Sequence, residues 1–306
     1  MLLNTSGGPV LKAITSIIFT VYLIFTSSIL IANFSEFLHV VYFHSSPSWI
    51  ITLIFVITAI IANKLGFRSL IKVNTLIVPI VLITELVVFL GGLGKIEFQR
   101  ALPILGYGFG QTFISGFSNI FAFGGLIYLY LIRPNLKNNV NYKKVGIISI
   151  SLSGLFLLLS VASLLFLFPF LINGVNTLSV YMSTRVIEFG TFFERTDALF
   201  IFVWLFAFIS YLCVIIAYIS KINKKNCNVK NPSIFIYLTG LLILAVSLIP
   251  SNTSVIRFAE TVLYKNAALF IVFGYSFIIL IIGYLKKKKV SLIIRRKHIL
   301  RRSCES

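Results

Sequence analysis

Eight apolar stretches, nearly free of charge, follow one another along this 306-residue chain, at about 10–33, 48–63, 71–93, 111–132, 145–170, 198–219, 233–250 and 266–285. A helix needs about 20 apolar residues to cross the hydrocarbon of a bilayer. There, every backbone N–H and C=O must be satisfied within the protein, which leaves helices as the natural form for such runs. The expectation is an all-α polytopic membrane protein with about eight transmembrane helices over residues 1–285 and a basic tail over 286–306. The stretch at 48–63 is the shortest, with Pro47 before it and Asn63 and Lys64 at its end. Composition agrees. Charged residues make up 11% of the chain and hydrophobic ones 58%, whereas a soluble domain carries about 25% charged residues. A soluble fold of this length could not hide that much apolar surface in one core.

The net charge of +19 is distributed by loop. Lys12, the segment with Lys64, Arg68 and Lys72, the segment from Arg133 to Lys144, the segment from Lys221 to Lys230 and the tail together hold 21 of the 27 basic residues. The alternate segments hold 6: Lys95, Arg100, Arg185, Arg195, Arg257 and Lys265. The positive-inside rule then places both termini in the cytoplasm. The charges read as topology signals, so no nucleic-acid partner is expected. The tail, with Lys286 to Lys289 and Arg295, Arg296, Lys297, Arg301 and Arg302, reads as an anchor touching anionic lipid.

Other function classes find little support. Cys213, Cys227 and Cys304 show no zinc spacing, and His39, His44 and His298 are scattered. No nucleophile–base set, paired carboxylates or phosphate loop is visible, so no enzyme, cofactor or metal site is expected. Met1 to Val10 lacks the basic start and cleavage site of a secretory signal.

Three features carry functional interest. The stretch at 111–132 follows Gly106, Gly108 and Gly110 and contains Phe121-Ala122-Phe123-Gly124-Gly125. Two adjacent mid-span glycines weaken a helix by about 1 kcal/mol each relative to Ala. They mark either a broken helix whose freed backbone binds a ligand or close packing through small residues; the residues alone leave both open. Glu85 is the only carboxylate deep within an expected span, in a stretch that also holds Pro79, and intramembrane acids usually face a cavity or partner. Residues 177–189 place Leu178, Tyr181, Met182, Val186 and Phe189 at helical spacing, which suggests a short amphipathic helix at the outer surface. Thr196 or Asp197 is placed to cap the helix at 198–219.

Three segments resemble the spore germination permease family: Leu105 to Gly110 with Ser118 to Tyr128, Leu178 to Gly190, and Glu194 to Trp204. These proteins are the B subunits of GerA-type nutrient germinant receptors, within the amino acid–polyamine–organocation superfamily. The resemblance implies a LeuT-like inverted repeat of ten helices. Only eight are counted here, so the chain is expected to be an incomplete 3+5 bundle lacking the first two. It further implies ligand binding at the break in the sixth helix, on Phe121, Ala122, Phe123, Gly124 and Gly125, with Glu85 as a possible ion or proton site. Where superfamily members often carry an acidic residue after the break, this chain has Ile127. The implied role is a receptor subunit in the spore inner membrane that senses a small nutrient, of the amino-acid class, and signals with other receptor subunits. The alternatives are an ion-coupled amino-acid transporter or a truncated inactive member.

Overall fold

The computed structural model describes residues 9–102, 106, 108–132, 140–168, 179–186, 196–227, 231, 233–250 and 252–285. Among these, every regular element is helical. The first helix, α1, spans Pro9–Val41, with proline at the first position, where its missing N–H is harmless. At 33 residues it is about 50 Å long, well beyond a hydrocarbon core of about 30 Å. It is also the central helix. Its most apolar window is 56% buried, against 11% for the helices at 67–95 and 142–167. The reason lies in its small hydroxyl residues. Thr15, Ser16, Thr26, Ser27, Ser28 and Ser35 are all buried, and small side chains let neighbouring helices approach closely. Thr15, Ser16 and Ser27 donate to their own helix at the carbonyls of Leu11, Lys12 and Leu23, while Ser28 reaches across to the Ile243 carbonyl at 3.1 Å.

Around α1 stand α2 (Ser48–Lys64), α8 (Thr196–Cys227) and α9 (Ser233–Ser247). The two short helices, α2 and α9, meet at Gly240, whose missing side chain leaves room for Ile60. Asn63 ties α2 to α8 by donating to the Cys213 carbonyl at 3.1 Å. Leu212, Ile215, Ile216 and Ile219 of α8 fill the core between them. Helix α3 (Phe67–Gly92) follows Gly66 and continues through Pro79. Gly66 has φ +94°, a conformation that only glycine adopts without strain. Ser210 of α8 donates to the Asn74 side chain of α3 at 2.7 Å. Helix α6 (Tyr142–Leu167) packs on the outer side of α3. Arg100 holds the end of α6 by donating to the Leu167 carbonyl, and pairs with Glu97 at 2.6 Å.

Six helices are long and apolar enough to cross a membrane, at Val10–Val41, Phe67–Lys95, Phe109–Leu129, Tyr142–Leu167, Asp197–Lys224 and Thr253–Leu285, with α2 and α9 as shorter apolar helices. The chain is a multi-pass membrane protein. Three boundaries and one placement differ from the sequence reading; one of the boundaries is the end of α8, eight residues past 219. Helix α1 runs eight residues past 33, because Phe34, Phe37 and Leu38 continue its buried face. The last helix, α10 (Thr253–Leu285), begins well before 266; Arg257 and Lys265, expected in the loop before it, lie within it. The segment expected to lie on the outer surface forms α7 (Ser179–Val186), but Tyr181, Ser183 and Thr184 are fully buried. It is wedged against α3, α6 and α8; Leu178 and Phe189 lie outside the described residues.

Candidate functional site

The run at 111–132 is not one helix. It consists of α4 (Phe109–Ser118), a turn at Asn119, a 3-10 segment over Ile120–Leu126 and α5 (Ile127–Ile132). Within the 3-10 segment Phe123 leaves helical geometry, at φ −86° and ψ 18°. Here the two glycines differ. Gly124 is buried, and a β-carbon on it would stand 3.2 Å from the Tyr264 hydroxyl and 3.3 Å from that of Tyr22. Gly125 is exposed and meets only the Tyr128 ring. Phe121 is half-buried, edge-on to the Tyr264 ring at 5.7 Å. Phe123, also half-buried, has its ring over Gly154 of α6. Ala122 is exposed. A break and close packing through a small residue therefore coexist at one place.

Aromatic hydroxyls from four elements converge on this break. Tyr22 comes from α1, Tyr128 from α5, Tyr211 from α8 and Tyr264 from α10, all within electrostatic reach of one another. The Tyr128 and Tyr211 rings stand edge-on at 6.4 Å, and the Tyr128 ring also lies against Tyr218 at 6.2 Å. Such a cluster offers rigid apolar faces and several hydroxyl donors and acceptors to a small polar ligand.

The place of Tyr264 in this cluster has a local physical cause. Helix α10 contains π-helical stretches at Ala259–Tyr264 and Leu269–Tyr275. A π stretch bonds i to i+5 and widens the turn beyond 3.6 residues. Glu260, Tyr264, Ala268 and Val272, four residues apart, then share the inner face of the helix. On an ideal α-helix they would drift around the cylinder. Along that face α10 runs antiparallel to α1. Thr15 shares a 2.8 Å hydrogen bond with Tyr275, Tyr22 and Tyr264 meet over Gly124, and Asn33 donates to Glu260 at 2.9 Å.

Glu85 is not the only carboxylate on a long apolar helix, since Glu260 lies within α10 and Glu36 near the end of α1. Glu85 itself is half-buried on α3 and accepts a hydrogen bond from Ser160 of α6. None of its described contacts joins it to the Phe121–Gly125 break. Asp197 sits in the first turn of α8, where a negative charge suits the helix dipole, and accepts from the Tyr181 hydroxyl at 3.3 Å. Elsewhere, an apolar groove of about 360 Å³ between the ends of α1, α2 and α8 is walled by Phe43, Ile54, Phe202 and Phe206. It lacks the convergent polar groups that a small-molecule site uses for orientation. Among the described residues, no three His, Cys, Asp or Glu gather to hold a metal ion.

The family described as "Spore germination protein" matches residues 1–255. Spore germination protein KB of Bacillus subtilis (strain 168) is 24% identical over 249 residues, a stretch that covers 79% of this chain and 66% of that protein. The chain thus spans about two thirds of that relative's length. No solved structure matches. With the family match running from residue 1 to residue 255 of 306, and with six helices long and apolar enough to cross a membrane among the described residues, this chain is a member of the spore germination permease family.

Proposed function

We propose that this protein is a subunit of a nutrient germinant receptor that binds a small molecule of the amino-acid class at the break in the helix over 109–132. The observation that carries the reading is the buried Gly124 beneath the hydroxyls of Tyr22 and Tyr264. A 3-10 segment leaves backbone groups without regular helical partners, and such groups at membrane depth serve ligands. Phe121, Ala122, Phe123, Gly124 and Gly125 would supply the backbone surface, and the tyrosines the walls. Binding would favour one of two arrangements of α1, α10 and the broken helix, and partner subunits would read that arrangement.

The wider setting belongs to the same proposal. The 306 residues form eight spans, with α2 and α9 crossing as short helices, in a LeuT-like arrangement. Both termini face the cytoplasm, and the membrane is the spore inner membrane. Glu85, on a separate helix pair, is proposed as a proton or cation site. The test is germination of spores carrying Gly124→Leu. The variant should reach the membrane in normal amount and fail to respond to nutrients while still responding to a non-nutrient trigger. A normal nutrient response would remove the broken helix from ligand binding. The helix break is equally suited to ion-coupled amino-acid transport, and uptake of labelled amino acid into vesicles driven by an ion gradient would move the reading there.

A further inference from the structure

Five cations from two distant parts of the chain converge at one end of the bundle. Lys64 closes α2, and Arg68 and Lys72 lie one turn apart at the start of α3; all three are exposed. Lys221 and Lys224 lie near the end of α8. The Lys221 ammonium stands 2.8 Å from the centre of the Phe67 ring, which seats the end of α8 against the start of α3. Lys64 reaches over the Tyr237 ring of α9 at 4.9 Å. The rings hold two ammonium groups at fixed places through cation–π attraction.

No Asp or Glu occurs at residues 37–84 or 198–259. Helices α2 and α9, and the adjoining ends of α3 and α8, therefore bring no carboxylate to offset this charge. Directly beside the cations lie exposed aliphatic side chains: Ile61 at 57%, Leu65 at 72%, Ile71 at 48% and Val73 at 51%. Cations above a lipid-ready aliphatic wall match an amphiphile. A free phosphate ion would use the cations alone, and an acidic peptide would leave the wall uncovered.

We propose that the α2–α3 turn, together with the end of α8, is a binding site for an anionic phospholipid. The phosphate lies at Arg68 and Lys72, where guanidinium geometry suits phosphate oxygens. The acyl chains follow Leu65, Ile71 and Val73. The site does not depend on what the broken helix binds.

Native mass spectrometry of the purified chain in detergent tests this, with phosphatidylglycerol and phosphatidylcholine as probes. The wild type should retain phosphatidylglycerol in preference. Each cation at a charged lipid surface contributes about fivefold in affinity, so Arg68→Gln with Lys72→Gln should lower retention about 25-fold. Arg68→Lys with Lys72→Arg keeps the charge and should keep most of the binding, which separates a lost site from a lost fold. Lys143→Gln with Lys144→Gln, at the start of α6, should leave retention unchanged. Equal retention of the two lipids would overturn the proposal. So would an equal loss in both glutamine variants, which would mean undirected attraction to charge. Complete displacement by millimolar inorganic phosphate would also overturn it, as the mark of an ion site without a lipid seat.

Discussion

The Tyr264 hydroxyl lies 3.2 Å from the point where Gly124 would carry a β-carbon, and the Tyr22 hydroxyl fills the other side at 3.3 Å. Gly124 is thus small by necessity. Both obstructing atoms are the ends of long side chains, so a single methyl asks them to shift by a few tenths of an ångström. Gly124→Ala should fold, with a loss of about 1 kcal/mol, at the low end of overpacking effects. Gly124→Leu should displace both tyrosines and abolish the nutrient response. Thermal unfolding in detergent beside spore germination assays checks both. A leucine variant with wild-type sensitivity would mean that the tyrosines are not part of the ligand site.

Asn33 and Glu260 form a side-chain link between α1 and α10. Hydrogen bonds to charged groups contribute about 1.5–3 kcal/mol. Asn33→Ala leaves the carboxylate without this donor and should destabilise by that amount, lowering the unfolding temperature. Glu260→Gln still offers Asn33 a carbonyl oxygen and should do less harm. An Asn33→Ala protein as stable as wild type would show that the link carries no energy.

The helices were legible in the sequence because long apolar runs mark them, and α2, α3, α6 and α9 begin or end within a few residues of their expected bounds, although α2 and α9 are shorter than the six helices long enough to cross a membrane. The break at 119–126 was half legible. The glycine pair marked the place, but whether the chain breaks or packs there depends on Tyr22 and Tyr264, which lie far off in sequence. The start of helix α10 was hidden because Arg257, Glu260 and Lys265 interrupt the apolar run that marks such a helix in the sequence. Helix α7 was expected on the surface because helical spacing reveals an apolar face but not whether a second face will also be covered.

Gly240 and Ile60 make a second prediction about packing. A β-carbon at Gly240 would stand 2.7 Å from Cγ1 of Ile60, and isoleucine has few rotamers to escape into on a helix. Gly240→Ala should destabilise by about 1–3 kcal/mol, as overpacking does. Ile60→Ala in the same chain should recover part of that loss, since contacting residues couple strongly. Stabilities of the two single variants and the double variant form the check. Simple additivity would place the α2–α9 contact elsewhere.

Glu85 distinguishes two roles for a carboxylate in a span. Ser160 donates to it across the α3–α6 pair, so the group serves at least as a polar link between two lightly buried helices. If it also carries a proton or cation during signalling, Glu85→Gln should keep the link, keep membrane insertion, and abolish the dependence of the nutrient response on external pH. Ser160→Ala removes the donor alone. It should cost about 1.5–3 kcal/mol in stability but leave a pH dependence in place, with a shifted midpoint. Germination rates from pH 5 to pH 9 for the wild type and both variants separate the roles. If Glu85→Gln responds as the wild type does across the whole range, the carboxylate is a structural link and the proton or cation site lies elsewhere.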